Sequence, residues 1–235
     1  MAQGNKLKLI KLERTTGTKD LNVDIIADVE LLDILNNFTE NIKRIKEKFN
    51  IVDELADRDM EEAYKDILRS QIVLLMSSVD FYIHEVVKYG ILKIFKKEKK
   101  KTKEYKLVIV SIECVEKALE NPESVDWLEE NIVLQNKFKS FMAINKIRNA
   151  LKIISDKKIL DNSIKKVAKD IKKSEDEVKD ILNRMYKRRN CIAHQTDRDP
   201  IKCTINDISK EEVKEGLDVI NKLILSIHDE IKNDV

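Results

Sequence analysis

Glycine, proline and aromatic residues are scarce in this chain. Its 235 residues include four Gly and two Pro, and Phe, Trp and Tyr together make up 5%. Because tight turns depend on Gly and Pro, so few of them favour long helices joined by few turns. The glycines form no Gly-x-Gly pattern, which excludes the phosphate loops of P-loop and dinucleotide-binding proteins. No Gly-x-Ser-x-Gly segment occurs, so the nucleophile elbow of serine hydrolases is also excluded.

Cysteine and histidine are also sparse. The three cysteines are Cys114, Cys191 and Cys203, and their spacing matches no metal-binding pattern. The three histidines form no cluster with them that would suit zinc. An odd number of cysteines without such spacing predicts reduced side chains that pack in a cytoplasmic protein. We therefore expect no metal ion and no other cofactor.

Neither a large net charge nor a long apolar run is present. The 45 Lys and Arg against 43 Asp and Glu give a formal net charge of +2, so any attraction to nucleic acid must be local. Apolar runs such as residues 72–76 are far too short to span a bilayer. Residues 1–20 contain no apolar segment typical of a secretory signal. We expect a cytoplasmic protein with no membrane partner.

What the chain does have is helical periodicity. Apolar residues recur at spacings of three and four near both ends, which is typical of amphipathic helices. The first stripe comprises Leu31, Leu35, Phe38, Ile42, Ile45 and Phe49. The last comprises Val213, Leu217, Ile220, Ile224, Ile227 and Ile231. Residues 72–83 are apolar on nearly every face, which predicts a buried central helix that begins near Asp59.

These patterns predict an all-α helical bundle in a single domain over residues 29–235. Its core helices are expected near residues 30–49, 59–95, 175–190 and 210–232. Shorter helices are expected in an insertion over about 96–173. Residues 1–28 are interpreted as an N-terminal arm, either frayed or a short edge strand.

Local signals set the expected helix ends. A serine that precedes a glutamate by three residues forms a capping box, which predicts helix starts at Ser174 and Ser209. The pair Asn121-Pro122 predicts another start, with the proline in the first helical position. Asp199-Pro200 is expected to stop the helix that Ser174 begins.

The run Arg-Arg-Asn-Cys-Ile-Ala-His, from Arg188 to His194, closes that helix. RNA carries its own nucleophile, the 2′-hydroxyl, so its cleavage needs a proton carrier and a cation that stabilises the phosphorane. The ordinary pKa of histidine suits the first task, and the permanent charge of arginine suits the second. This run is therefore a candidate site for acid/base chemistry on a phosphodiester.

The geometry of a helix limits how this run can act. On one straight helix Arg189 and His194 lie about 140° apart, whereas Asn190 and His194 share a face. Arg189 and His194 therefore meet only if the helix ends or bends between them, or if two chains contribute to one site. The alternative is that Arg189 is a helix-terminal cation and His194 a polar C-terminal cap.

The run resembles the signature of HEPN domains, a family of helical bundles, in which a polar residue follows an Arg and a His comes a few residues later. The resemblance extends to Asp197-Arg198-Asp199-Pro200. It also includes residues 77–85, which are similar to the first core helix of bacterial HEPN proteins of the RiboL-PSP type. The helical patterning is compatible over roughly residues 30–232.

The resemblance implies a metal-independent endoribonuclease that dimerises across the motif helices and leaves 2′,3′-cyclic phosphate and 5′-hydroxyl ends. Arg189 would stabilise the scissile phosphate, His194 would be the acid/base, and Asn190 would orient the site. Because Arg188 stands beside Arg189, the arginine that faces the phosphate stays open. A role as a toxin or defence effector, with an antitoxin or a defence-system partner, is implied by the family alone.

Other polar residues have two interpretations each. Asp80 could orient His194 or pair with Arg189, or it could fix the register of the bundle through a buried contact. His84, four residues later on the same face, is interpreted as structural and His228 as a surface residue. The lysine-rich residues 96–103 could follow an RNA backbone or form a solvated tail.

The sequence therefore predicts a HEPN-like homodimer that cleaves RNA. The alternative is a non-catalytic helical module that binds a partner protein or a nucleotide through the same cleft.

Overall fold

The computed structural model describes residues 30–234, which form eight α-helices and one short 3₁₀ helix. The helices are α1 (Leu31–Ala56), α2 (Glu61–Phe95), α3 (Ile112–Glu120), α4 (Asp126–Asn136), α5 (Ile144–Ile154), α6 (Ile159–Asp170), α7 (Glu175–Gln195) and α8 (Lys210–Lys232), with the 3₁₀ helix at Tyr105–Leu107. The all-α bundle predicted from the sequence is confirmed. The predicted N-terminal arm over residues 1–28 lies outside the described residues.

Helix α2 is the centre of the bundle. Over its apolar middle, side chains on several faces are buried, including Ile72, Leu75, Tyr82 and Ile83. Helix α1 packs along α2 with the apolar stripe that its spacing predicted, except that Ile34 is buried where Leu35 is half-buried. The long apolar segment therefore lies at the centre of the bundle, where a helix is buried on several faces and the polar face of an amphipathic helix would lose its water.

Helices from the predicted insertion share this core. The buried side chains of α5 and α6, such as Ile154 and Ile164, belong to the same apolar cluster as those of α2 and α8. Helix α7 packs closely against α8 at Gly216, where a Cβ atom would overlap the thioether of Met185. The face of α7 that carries Val178, Ile181 and Met185 is thus fixed against the bundle.

Helix ends follow the local signals at some places only. Ser174 and Glu177 form the predicted capping box at the start of α7, and the Ser209 hydroxyl accepts a hydrogen bond from the Glu212 amide at the start of α8. The helix start predicted at Asn121-Pro122 is wrong. Asn121 is the C-cap residue that follows α3, and α4 begins only at Asp126 after an intervening turn.

The end of α7 also differs from the prediction. The helix stops at Gln195, before Asp199-Pro200, because Thr196 and Asp197 adopt left-handed backbone angles with φ of 50° and 57°. The amides of both residues donate to the carbonyl of Cys191 and close the last turn. The following loop contains a single antiparallel bridge between Arg198 and Ile205.

Among residues 30–234, no helix is both long enough and apolar enough to cross a membrane.

Candidate active site at the end of helix α7

The candidate residues lie on the last two turns of an uninterrupted helix. Helix α7 runs through both Arg189 and His194, so the two side chains leave its axis about 140° apart. Neither the helix end nor a break falls between them. Arg189 and His194 therefore do not meet within one chain through a helix end or bend, which was the first of the two ways in which they could come together.

Arg188 is held by contacts within the chain. Its Nη2 atom donates to Asp197 Oδ2 at 2.8 Å and to the carbonyl oxygens of Asp207 at 2.7 Å and Asn206 at 3.3 Å. The side chain is only 16% exposed. These contacts commit its guanidinium to the loop that follows α7.

Asp197 is the centre of a buried ion cluster. Its carboxylate is fully buried, and Oδ2 also accepts a hydrogen bond from Arg69 Nε of α2 at 2.8 Å. Arg69 in turn donates to Asp66 Oδ1 and to the Asn206 carbonyl, each at 3.0 Å. Because a buried charge is stable only when it is paired and hydrogen-bonded, this cluster ties the end of α7 to α2.

Arg69 and Asp197 are the residues that sequence reasoning missed, since Arg69 had no predicted role and Asp197 none of its own. A signal was present for the first of them. Arg69 lies between the apolar residues Leu68 and Ile72 on a helix that is buried on several faces, so its guanidinium required an acidic partner. Its partner could not be identified, because Asp197 is 128 residues away in sequence.

Arg189 has a different environment from its neighbour. It is half-buried, and its Nη1 donates to Asn190 Oδ1 at 3.2 Å. Its Nε is buried and, like that of Arg188, has no hydrogen-bond partner within the described residues. Among those residues no carboxylate lies within salt-bridge distance of Arg189, so its charge is available to an anion from outside the chain.

His194 is exposed in the last turn of α7, and Asn190 is half-buried one turn earlier. The Asn190 amide oxygen accepts from Arg189, so the polar residue of the motif contacts the cation and orients it. The structure thus brings Arg189 and Asn190 together and leaves His194 directed to solvent.

Asp80 and His84 lie elsewhere and contact the segment between α4 and α5. Asp80 Oδ1 accepts from the Phe141 amide at 2.5 Å, and His84 Nε2 lies 3.7 Å from the same oxygen. His84 Nε2 is also 3.3 Å from the Lys139 carbonyl, and its ring contacts that of Phe141 at 4.5 Å between centroids. Within the described residues neither side chain forms a hydrogen bond or an ion pair with Arg189 or His194.

His228 is buried, not on the surface as the sequence suggested. It is 6% exposed and lies on the wide buried face of α8 between Ile227 and Ile231. Burial lowers the pKa of its imidazole, Asp229 opposes that effect and Lys232 adds to it. The neighbouring acidic residues suggested a solvated turn, but the core against which α8 packs extends beyond its apolar stripe.

The lysine-rich segment 96–103 is partly attached to the bundle. The Lys99 side chain is 9% exposed and binds Asp234 at 2.9 Å, and the Thr102 hydroxyl donates to the Ile153 carbonyl at 2.8 Å. Part of this charge is therefore used within the chain. In the described part of the chain no group of three or more His, Cys, Asp or Glu side chains is arranged to hold a metal ion.

Comparison with known proteins agrees with the resemblance seen in the motif. The model of the RiboL-PSP-HEPN family matches residues 33–233, a range that extends from α1 to the end of α8. Comparisons with curated proteins and with solved structures each found no match. HEPN domains are often nucleases. Because the match spans most of the sequence, the chain belongs to the RiboL-PSP-HEPN family.

Proposed function

We propose that this protein is a metal-independent endoribonuclease whose active site is formed by two copies of the chain. The observation that carries the proposal is the contrast between the two adjacent arginines. The Arg188 guanidinium is hydrogen-bonded to Asp197 and to the following loop, whereas Arg189 has no carboxylate partner among residues 30–234. Arg189 is therefore the arginine that contacts the scissile phosphate.

The chemistry requires only the RNA and these side chains. The 2′-oxygen attacks the adjacent phosphorus as His194 takes up its proton. The bond to the 5′-oxygen breaks as the same imidazolium donates that proton to the leaving group. Arg189 stabilises the negative charge that develops on the phosphorane oxygens. The products are a 2′,3′-cyclic phosphate and a 5′-hydroxyl.

Two copies are needed because α7 directs its two functional side chains apart. Around a twofold axis, the same surface of each copy faces the other, so residue i of one can meet residue j of the other in both directions. Arg189 of each copy would then face His194 of its partner. One dimer cleft would contain two such pairs.

The remaining candidate residues support this site indirectly. Arg188 positions the end of α7 through Asp197, and Asn190 holds the Arg189 guanidinium. Asp80 orders the segment before α5, beside α2. A role as a toxin or defence effector, controlled by an antitoxin or a defence-system partner, rests on the family alone.

Cleavage of RNA by the purified protein in EDTA tests the proposal. We expect fragments with cyclic phosphate ends, and loss of cleavage in the variants His194→Ala and Arg189→Ala. His194 is exposed, so its replacement leaves the fold intact, and circular dichroism checks this. Gln195→Ala, an exposed neighbour on the same turn, is the matched control and should retain activity.

Two results would contradict the mechanism: cleavage that requires Mg²⁺, and cleavage that survives His194→Ala. The second candidate function, a helical module that binds a partner protein or nucleotide without catalysis, predicts no cleavage by the wild-type protein under any of these conditions.

A further inference from the structure

We propose that the cavity between α2, α4, α5 and α7 binds the base of an RNA nucleotide next to the scissile phosphate. The cavity has a volume of about 540 Å³, within the range of roughly 300–1,000 Å³ that is usual for small-molecule sites. This inference rests on the proposed function and adds the part of the substrate that the Arg189 and His194 side chains do not contact.

The lining of the cavity suits a flat ring with polar edges. Most of its lining is apolar and includes the aromatic side chains Phe141 and Tyr186. Gln135, Asn136 and Asn149, which carry side-chain amides, also line it. Aromatic rings stack on any base, and side-chain amides donate to and accept from the edges of exposed bases.

The position of the cavity links it to the candidate active site. Tyr186 lies three residues before Arg189 on α7, which corresponds to a rise of about 4.5 Å and a rotation of about 60°. The cavity wall and the Arg189 guanidinium therefore belong to adjacent turns of one helix. A nucleotide held at Tyr186 would place its phosphate within reach of Arg189.

The rim of the cavity is basic. Lys139 and Lys146 line it and are exposed, and neither has an acidic partner within residues 30–234. Lys137 adjoins them, with its Nζ atom 5.7 Å from the centre of the Phe138 ring. A basic rim around an apolar interior matches a phosphate and its base, whereas an apolar peptide would gain nothing from the lysines.

Phe138 is the most exposed large apolar side chain at this rim, at 92%. A ring in that position contributes almost nothing to the packing of the folded chain. Stacking on a base would bury it and would use a surface that the monomer leaves in water.

Asp80 and His84 acquire a role in this arrangement. Both contact the segment from Lys139 to Phe141, which forms one wall of the cavity. The polar face of α2 that resembles the family pattern thus shapes the base site instead of contacting the reacting phosphate.

Binding of a fluorescein-labelled single-stranded RNA to the full-length His194→Ala protein tests the inference without cleavage. Phe138→Ala should weaken binding roughly 5- to 150-fold, the range expected when one base no longer stacks. Leu119→Ala removes another exposed apolar side chain, 76% exposed, that does not line the cavity, and should leave binding unchanged. Tyr186→Phe should retain binding because its ring remains, and Tyr186→Ala should weaken it.

Salt dependence gives a second measurement on the same proteins. Replacing Lys139 and Lys146 by Gln should lower the slope of log affinity against log salt by about 0.7 for each phosphate that is no longer neutralised. Affinity unchanged in both Phe138→Ala and Tyr186→Ala overturns the inference. So does dissociation of the dimer in Phe138→Ala, measured by light scattering, because the cavity would then be covered by protein.

The two proposals fail separately. If the wild-type protein cleaves RNA and the cavity variants bind it normally, the base site is wrong and the nuclease stands. If the wild-type protein does not cleave RNA but Phe138→Ala weakens binding, the proposed catalysis is wrong and the base site is upheld.

Discussion

Arg188 and Arg189 are adjacent and of the same residue type, but their side chains have different partners in the structure. From the sequence both are candidates, and which one faces the phosphate stays open. What separates them is a buried carboxylate whose second partner, Arg69, lies on another helix. Periodicity and local motifs describe residues close in sequence, so they could locate the cluster of charges but not this division of roles.

His228 shows the same limit. Its neighbours Asp229 and Glu230 suggested solvent, but the packing of α8 buries it. Among the described residues its Nδ1 atom has no hydrogen-bond partner. A buried neutral histidine has a consequence for stability that can be measured.

The protein should become less stable as the pH falls below about 6.5, the ordinary pKa of histidine. Burial lowers the pKa of His228 in the folded state, so the unfolded state binds a proton first and gains from acidification. The free energy of unfolding, from urea titrations at about pH 5 and about pH 7.5, measures this. His228→Leu should reduce the difference between the two values, whereas replacement of the exposed His194 by Ala should preserve it. An equal pH dependence in the wild-type protein and both variants would contradict the burial argument.

At the scale of helices, the sequence predicted the existence of elements better than their ends. Ser174 and Glu177 could be identified as a capping box because the whole signal lies within four residues. Asn121 was misassigned because its local pattern also suits the residue that ends the preceding helix. The end of α7 depends on Asp197, whose burial requires partners from α2, and no local pattern contains that information.

Asp197 is therefore expected to be a stability centre. Asp197→Ala would leave Arg188 without a counter-charge and Arg69 with only the exposed Asp66, and breaking a buried ion pair typically costs about 3–5 kcal/mol. Chemical denaturation measures this decrease in stability. Asp199→Ala is the matched control and should cost much less, since within residues 30–234 its carboxylate accepts only local amide bonds from Ile201 and Lys202. Equal decreases in the two variants would show that the cluster does not hold α7.

At the scale of the whole molecule, the proposed site requires two copies of the bundle. Its architecture followed from the sequence because each helix buries one apolar face and α2 buries several. The proposed site did not follow in the same way, since in this proposal a second copy of the chain completes it. The angle of about 140° between Arg189 and His194 follows from their spacing in the sequence. Because α7 is uninterrupted, the two side chains of one chain point apart.

A heterodimer of two different inactive variants tests most directly the claim that Arg189 and His194 act across the dimer. Arg189→Ala and His194→Ala chains, co-expressed with different tags and purified as the heterodimer, would retain one Arg189 and one His194 on opposite chains. If the two residues act across the dimer, this heterodimer should recover roughly half of the wild-type cleavage rate, because one of two symmetric pairs is restored. A heterodimer of correct mass that stays as inactive as either parent would contradict the composite site.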